Sequence, residues 1–71
     1  MKIDNGIIYF IILVQEVFKE PYRIEFDDDT LWIRVQTKLS PEEAQERISF
    51  CTHIMILYHL PLEVNLNVDF I

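Results

Sequence analysis

The first long apolar stretch of the chain fits the period of a helix. When residues 7–20 are placed on a helix at about 100° per residue, most apolar residues fall within an arc of about 120°. The arc holds Ile7, Phe10, Ile11, Val14, Val17 and Phe18, and the opposite side holds Gln15, Glu16, Lys19 and Glu20. A strand over residues 7–14 is the competing interpretation, because this run is β-branched and aromatic. The pattern favours the helix, since the later polar residues fit only the helical period.

This helix carries a second apolar strip, which consists of Ile8, Tyr9 and Ile12 on the side of the charged residues. Single exposed apolar residues are ordinary on protein surfaces, whereas a strip of them marks a contact surface. The sequence therefore predicts that the strip contacts a partner or a second copy of the chain. The alternative is that the second helix or a loop covers it.

Two alternating segments around an acidic turn predict a β-hairpin over residues 22–37. In the second segment Leu31, Ile33 and Val35 share one side, and Trp32, Arg34 and Gln36 share the other. Asp27-Asp28-Asp29 lies between the segments. Asp suits turns because its side chain bonds nearby backbone amides and tolerates left-handed backbone.

A second helix and a last strand complete the predicted domain. Ser40-Pro41-Glu42-Glu43 is a helix start with a capping box, and Pro61 ends a helix that we expect to reach Leu60. Residues 63–70 then alternate strictly, as in a strand with one wet face. Because a helical crossover joins parallel strands, the order α-β-β-α-β predicts an α+β fold. We expect one domain over residues 1–71, with a three-stranded sheet and two helices on one of its faces.

Composition narrows the classes of function. Twelve acidic residues against six basic ones give a net charge of −6, which disfavours nucleic acid and anionic membranes as partners. The apolar run at residues 7–14 is too short to span a bilayer and is followed by no signal-peptide cleavage site, so we expect a cytoplasmic protein. A single cysteine excludes an internal disulfide, and small domains without disulfides or metals are often stabilised by oligomerisation.

The sequence contains no arrangement that indicates catalysis, a cofactor or a metal site. His53 and His59 are six residues apart and point in different directions on a helix, whereas a helical zinc pair needs a spacing of four. Cys51 falls in the apolar stripe, where a free cysteine behaves as a small core residue. The acidic residues 25–29 lack the spacing and the glycine of a calcium loop. We therefore expect no catalytic residue, cofactor or bound metal.

Trp32 lies on the wet face of the predicted sheet, with Arg34 and Arg23 near it. Trp and Arg are enriched at the energetic centres of protein interfaces, although an Arg over an indole ring is also a local packing contact. Both interpretations of Trp32 remain open from the sequence.

These observations predict a small acidic protein-interaction module of the adaptor or inhibitor type, without catalysis of its own and homodimeric. The candidate contact residues are Ile8, Tyr9, Ile12, Trp32, Arg34 and Arg23. The C-terminal strand is a further candidate contact, since a free strand edge can pair with the same edge of a second copy. The alternative is a dimeric small-ligand binder or minor enzyme, with an anionic-ligand site between subunits near Trp32 and Arg34.

Overall fold

The fold is a three-stranded mixed sheet with two helices, in the chain order α-β-β-α-β. The computed structural model describes residues 2–71. Its elements are α1 (Asn5–Phe18), β1 (Tyr22–Asp27), β2 (Thr30–Thr37), α2 (Pro41–Leu57) and β3 (Val64–Phe70). The central strand β2 pairs antiparallel with β1 and parallel with β3. The predicted fold class and element order are confirmed, and residues 7–14 are helical.

Helix α1 is capped by Asp4 and ends earlier than the sequence suggested. The Asp4 carboxylate accepts a hydrogen bond from the Ile7 N–H at 3.0 Å. At the other end Lys19 takes a left-handed backbone with φ 53°, and its N–H donates to the Gln15 carbonyl at 2.8 Å. Because Pro21 disfavours helical backbone in the residue before it, the chain leaves the helix at Phe18 instead of continuing to Glu20.

Helix α2 also begins as predicted and ends early. The Ser40 hydroxyl accepts from the Glu43 N–H at 3.2 Å. The helix ends at Leu57 because His59 adopts a left-handed backbone with φ 54°. The N–H groups of His59 and Leu60 then donate to the carbonyls of Ile56 and Met55, at 3.2 and 3.0 Å. This pair of bonds is a Schellman motif, which is usually closed by a glycine.

The core lies between the helices and one face of the sheet. It is formed by Ile7, Phe10, Val14, Phe18, Leu31, Ile33, Val35, Cys51 and Val64. The inward faces predicted for α1 and β2 are therefore confirmed. On α2 the sequence pattern indicates an apolar half that includes Phe50, Leu57 and Tyr58, but these three residues are exposed. This helix buries only a narrow strip that includes Ala44 and Cys51.

A hydrogen-bonded carboxylate ties the α1–β1 connection to the end of β2. The hydroxyl of the buried residue Thr37 donates to Glu20 Oε1 at 2.5 Å, and the Lys38 N–H donates to Oε2 at 2.7 Å. The Thr37 hydroxyl in turn accepts from the Leu39 N–H at 3.0 Å. The bonds from Thr37 and Lys38 hold the pKa of Glu20 below its ordinary value, because they favour the charged carboxylate.

Candidate protein-binding surfaces

The apolar strip of α1 remains on the surface of the folded chain. Ile8, Tyr9 and Ile12 are exposed to 44%, 69% and 49%, while Ile7 and Phe10 on the same turns are buried. Neither α2 nor a loop covers the strip. Of the two interpretations that the sequence left open, the structure therefore supports the one in which the strip is exposed.

A groove between the start of α1 and the end of α2 adjoins this strip. Its volume is about 390 Å³, and it is lined by Gly6, Tyr9, Phe10, Leu13, Ile54, Tyr58 and Leu60. A Cβ at position 6 would lie 3.3 Å from Asp4 Oδ1 and 3.6 Å from Leu60 Cδ2, so glycine allows the cap and the loop to approach closely. Because the lining is mostly apolar, the groove suits an apolar side chain better than a charged ligand.

The open face of the sheet brings Trp32, Arg34 and Arg23 together, as the sequence predicted. The strand register places Arg23 opposite Arg34 and Glu25 opposite Trp32. The Arg34 guanidinium carbon lies 5.0 Å from the centroid of the Trp32 ring, which is a cation–π distance. Trp32 and Arg34 are half-buried, and Arg23 is exposed.

Glu25 joins the two arginines, a contact that the sequence pattern did not predict. Its Oε2 lies 2.7 Å from Arg23 Nε, and its Oε1 lies 2.5 Å from Arg34 Nε. Two like charges directly opposite each other destabilise a strand pair, and the carboxylate between them offsets that repulsion. An anion approaching the arginines would therefore compete with Glu25.

A third apolar surface, which sequence reasoning missed, flanks β3. We call it the β3 groove: a depression of about 430 Å³ lined by Thr52, Met55, Ile56, His59, Leu60, Pro61, Leu62, Val64 and Asn65. Leu62 is exposed to 95%, and Ile56 is also exposed. The one signal in the sequence was Ile56, an apolar residue on the polar side of α2.

Near the end of β3, Phe70 has an exposure of 55% although it follows the inward alternation of Val64, Leu66 and Val68. Its counterpart on the opposite edge strand is Phe26 in β1, exposed to 59%. Each edge strand of the sheet thus ends close to an unburied phenylalanine.

The residues with catalytic or metal-binding chemistry do not form a site. Burial raises the pKa of the Cys51 thiol to about 11, so the thiol is protonated near neutral pH and is a poor nucleophile. His53 and His59 are exposed. Within residues 2–71, no three His, Cys, Asp or Glu side chains are grouped so that they could hold a metal ion. Asp28 has the left-handed backbone of a turn, with φ 54°.

Comparison of the chain with models of protein families, with curated proteins and with solved structures gave no match. In the part of the chain that the structure describes, neither helix has the length and apolarity that a membrane span requires.

Proposed function

We propose that the chain is a small acidic protein-interaction module of the adaptor or inhibitor type, which acts in the cytoplasm as a homodimer and has no catalytic activity of its own. The observation that carries this proposal is the uncovered strip of Ile8, Tyr9 and Ile12 on α1. Contiguous apolar surface of this kind is typical of protein contacts, and tyrosine is among the residues most enriched at their centres. The adjoining groove offers a cavity for an apolar anchor of the partner.

The charge of the chain supports a partner with a basic rim. The net charge is −6, and Glu16, Glu42, Glu43 and Glu46 are exposed on the two helices. Complementary charges around an apolar centre accelerate association and select between partners, more than they add affinity. We therefore expect the rate of association to fall as salt is added, while the apolar strip determines the lifetime of the complex.

The open sheet face around Trp32 and Arg34 is the second candidate contact surface. An anionic small-molecule site between subunits has less support, because Glu25 already binds both arginines. Trp32 is the only tryptophan, so its fluorescence reports on both possibilities. Quenching by small anions or nucleotides would favour the ligand site, and a change on addition of a protein partner alone would favour the contact surface.

The experiment that tests the proposal compares two pairs of substitutions with the same helical spacing. Ile8→Glu with Ile12→Glu places two charges in the apolar strip. Gln45→Glu with Ser49→Glu places two charges on the exposed side of α2 and is the matched control. A protein captured from the source cells by the immobilised chain is purified, and its binding to each variant is measured directly.

We expect the strip variant to stay folded by circular dichroism and to bind at least about 30-fold more weakly, because interface anchors contribute about 1–2 kcal/mol each. The control should bind within about twofold of the unmodified chain, as near-neutral surface contacts do. Unchanged binding by a folded strip variant would contradict the proposal. Unfolding of that variant would instead show that the strip belongs to the core.

A further inference from the structure

The free edge of β3 presents a regular row of unpaired backbone groups. The Leu31 N–H donates to the Glu63 carbonyl at 2.8 Å, and the Ile71 N–H donates to the Thr37 carbonyl at 3.1 Å. Because alternate residues of a strand direct their backbone groups to opposite sides, the odd-numbered residues of this segment bond to β2. The C=O groups of Val64, Leu66, Val68 and Phe70 and the N–H groups of Leu66, Val68 and Phe70 therefore point away from the sheet, while the Val64 N–H donates to the Pro61 carbonyl at 3.1 Å.

This row is complementary to itself in one antiparallel register. When two copies meet around a two-fold axis beside Asn67, Val64 lies opposite Phe70 of the second copy and Leu66 lies opposite Val68. All four residues then fall at hydrogen-bonded positions of the antiparallel ladder, where Val64 contributes its carbonyl only. On the open face Asn67 lies opposite Asn67 of the second copy, which is an amide–amide pair. Asn65 lies opposite Asp69 of the second copy, which is an amide–carboxylate pair.

The neighbouring registers are worse. A shift by one hydrogen-bonded step in one direction places Glu63 opposite Asp69 of the second copy, and like charges opposite each other are destabilising. The same shift in the other direction places Phe70 opposite Leu66 and away from Val64, which lines the β3 groove. One register is therefore selected by side-chain charge and by the position of Phe70 relative to the β3 groove.

The β3 groove accepts the exposed phenylalanine of the second copy in that same register. Phe70 points to the helix side of the sheet, as Val64 does, and is 55% exposed in the single chain. Opposite Val64, its ring enters the space that Met55, Ile56 and Leu62 line beside Val64. Pairing thus covers three exposed apolar residues, Phe70, Ile56 and Leu62, that have no role in the isolated fold.

We infer that two copies of this chain associate through β3, forming a continuous six-stranded sheet in which Phe70 of each copy fills the β3 groove of the other. The inference rests on the proposed homodimer and names its interface. Both helical layers lie on the same side of this sheet, and the α1 strips of both copies remain free. The dimer would thereby present two partner-binding strips on one surface.

The position of Asn67 on the two-fold axis gives the test. Asn67→Asp places two carboxylates against each other in a homodimer, and Asn67→Lys places two ammonium groups there. Mixed in equal amounts, the two variants place one carboxylate against one ammonium group. The masses of the unmodified chain, of each variant and of the mixture are measured by size-exclusion chromatography with light scattering, over a hundredfold range of concentration.

We expect the unmodified chain to have twice the 8.6-kDa chain mass, each variant to be a monomer over most of the range, and the mixture to recover the dimer. Circular dichroism checks that each variant keeps its fold. A dimer that persists in both variants but is lost in Ile8→Glu with Ile12→Glu would overturn the β3 interface and keep the proposed homodimer. A monomeric unmodified chain would overturn both, and partner binding through the α1 strip would be tested separately.

A second measurement keeps the inference falsifiable if the Asn67 variants do not fold. The chain is made by chemical synthesis with an N-methyl group on Leu66, whose N–H points away from β2, so the Leu66 side chain and the bonds between β2 and β3 are retained. The matched control carries N-methyl-Ile24, on the edge of β1, where the bond from Gln36 N–H to the Pro21 carbonyl shows that even-numbered residues point outward. The dissociation constant of the dimer should rise at least tenfold with N-methyl-Leu66 and stay unchanged with N-methyl-Ile24. Equal effects of the two modifications would overturn the inference.

Discussion

The two edge strands of the sheet differ in their side chains far more than in their backbones. In both strands every second residue points its N–H and C=O groups away from the sheet. β1 follows Pro21 and carries Arg23, Glu25 and Asp27 among its six residues, whereas Asp69 is the one charged residue among the seven of β3. Charged residues and proline on an edge are common protection against pairing with another chain.

The charges of β1 are also occupied within the chain. Glu25 bonds to Arg23 beside it and to Arg34 on β2, so a second copy that paired with β1 would have to rearrange three charged side chains. Pairing along β3 breaks no ion pair, because Asn65 and Asn67 on its open face donate to the Glu63 carbonyl and to Asp69 Oδ1, at 3.3 and 3.0 Å. The backbone makes each edge able to pair, and we expect the side chains to direct a second copy to β3 and away from β1.

The largest expected effect comes from replacing the phenylalanine at each edge. Phe70→Asp should raise the dissociation constant of the dimer at least about 100-fold, because each copy loses roughly 1.5–3 kcal/mol of buried aromatic surface. Phe26→Asp, at a residue of similar exposure on β1, should change it by less than about threefold. Sedimentation equilibrium measures both constants. Equal effects of the two substitutions would remove the distinction between the edges.

A smaller effect is expected at the charged centre of the β1 edge. Glu25→Gln leaves Arg23 opposite Arg34 without the carboxylate between them, and should lower the free energy of unfolding by about 0.5–1 kcal/mol. Arg23→Gln in the same chain should recover part of the loss, because it removes the repulsion. Urea unfolding of the single and double variants measures this. If the double variant is less stable than Glu25→Gln alone, like-charge repulsion is not the cause.

The smallest expected effect is a loss of stability at acidic pH. Bonds from Thr37 and Lys38 lower the pKa of Glu20 in the folded chain, so its contribution to stability is present above the unfolded pKa of about 4.5 and is lost as the pH falls through the folded pKa. Thermal unfolding of the unmodified chain and of Glu20→Gln should differ most near neutral pH and converge as the pH falls below 4.5 and through the folded pKa. Two curves separated equally at every pH would contradict this role of Glu20.

Much of the fold follows from local pattern and capping. The strict alternation of β2 and β3 and the Ser40 cap predicted those elements, and the polar residues after Val14 distinguished a helix from a strand. The helix ends were missed because Lys19 and His59 occupy left-handed positions that a glycine usually fills. A chain with one glycine gives no local signal for such positions.

The surfaces were predictable only where a single element contains them. Ile8, Tyr9 and Ile12 share one side of α1, and Trp32 and Arg34 share one side of β2, so periodicity was sufficient. The role of Glu25 depends on the register between two strands. The β3 groove depends on where α2 ends and β3 begins, and Ile56 and Leu62 meet there only after folding. The sequence pattern of either segment alone does not contain that information.

Hydrogen exchange at the two edge strands tests most directly whether β3, and not β1, is the dimer interface. Exchange of the backbone amides is followed by nuclear magnetic resonance at two protein concentrations, one well above and one well below the dissociation constant of the dimer. If β3 is the interface, the outward amides of Leu66 and Val68 exchange slowly at the high concentration and faster at the low one. The outward amide of Ile24 on β1 exchanges rapidly at both concentrations. If the two edges exchange at the same rate at both concentrations, β3 is not the dimer interface.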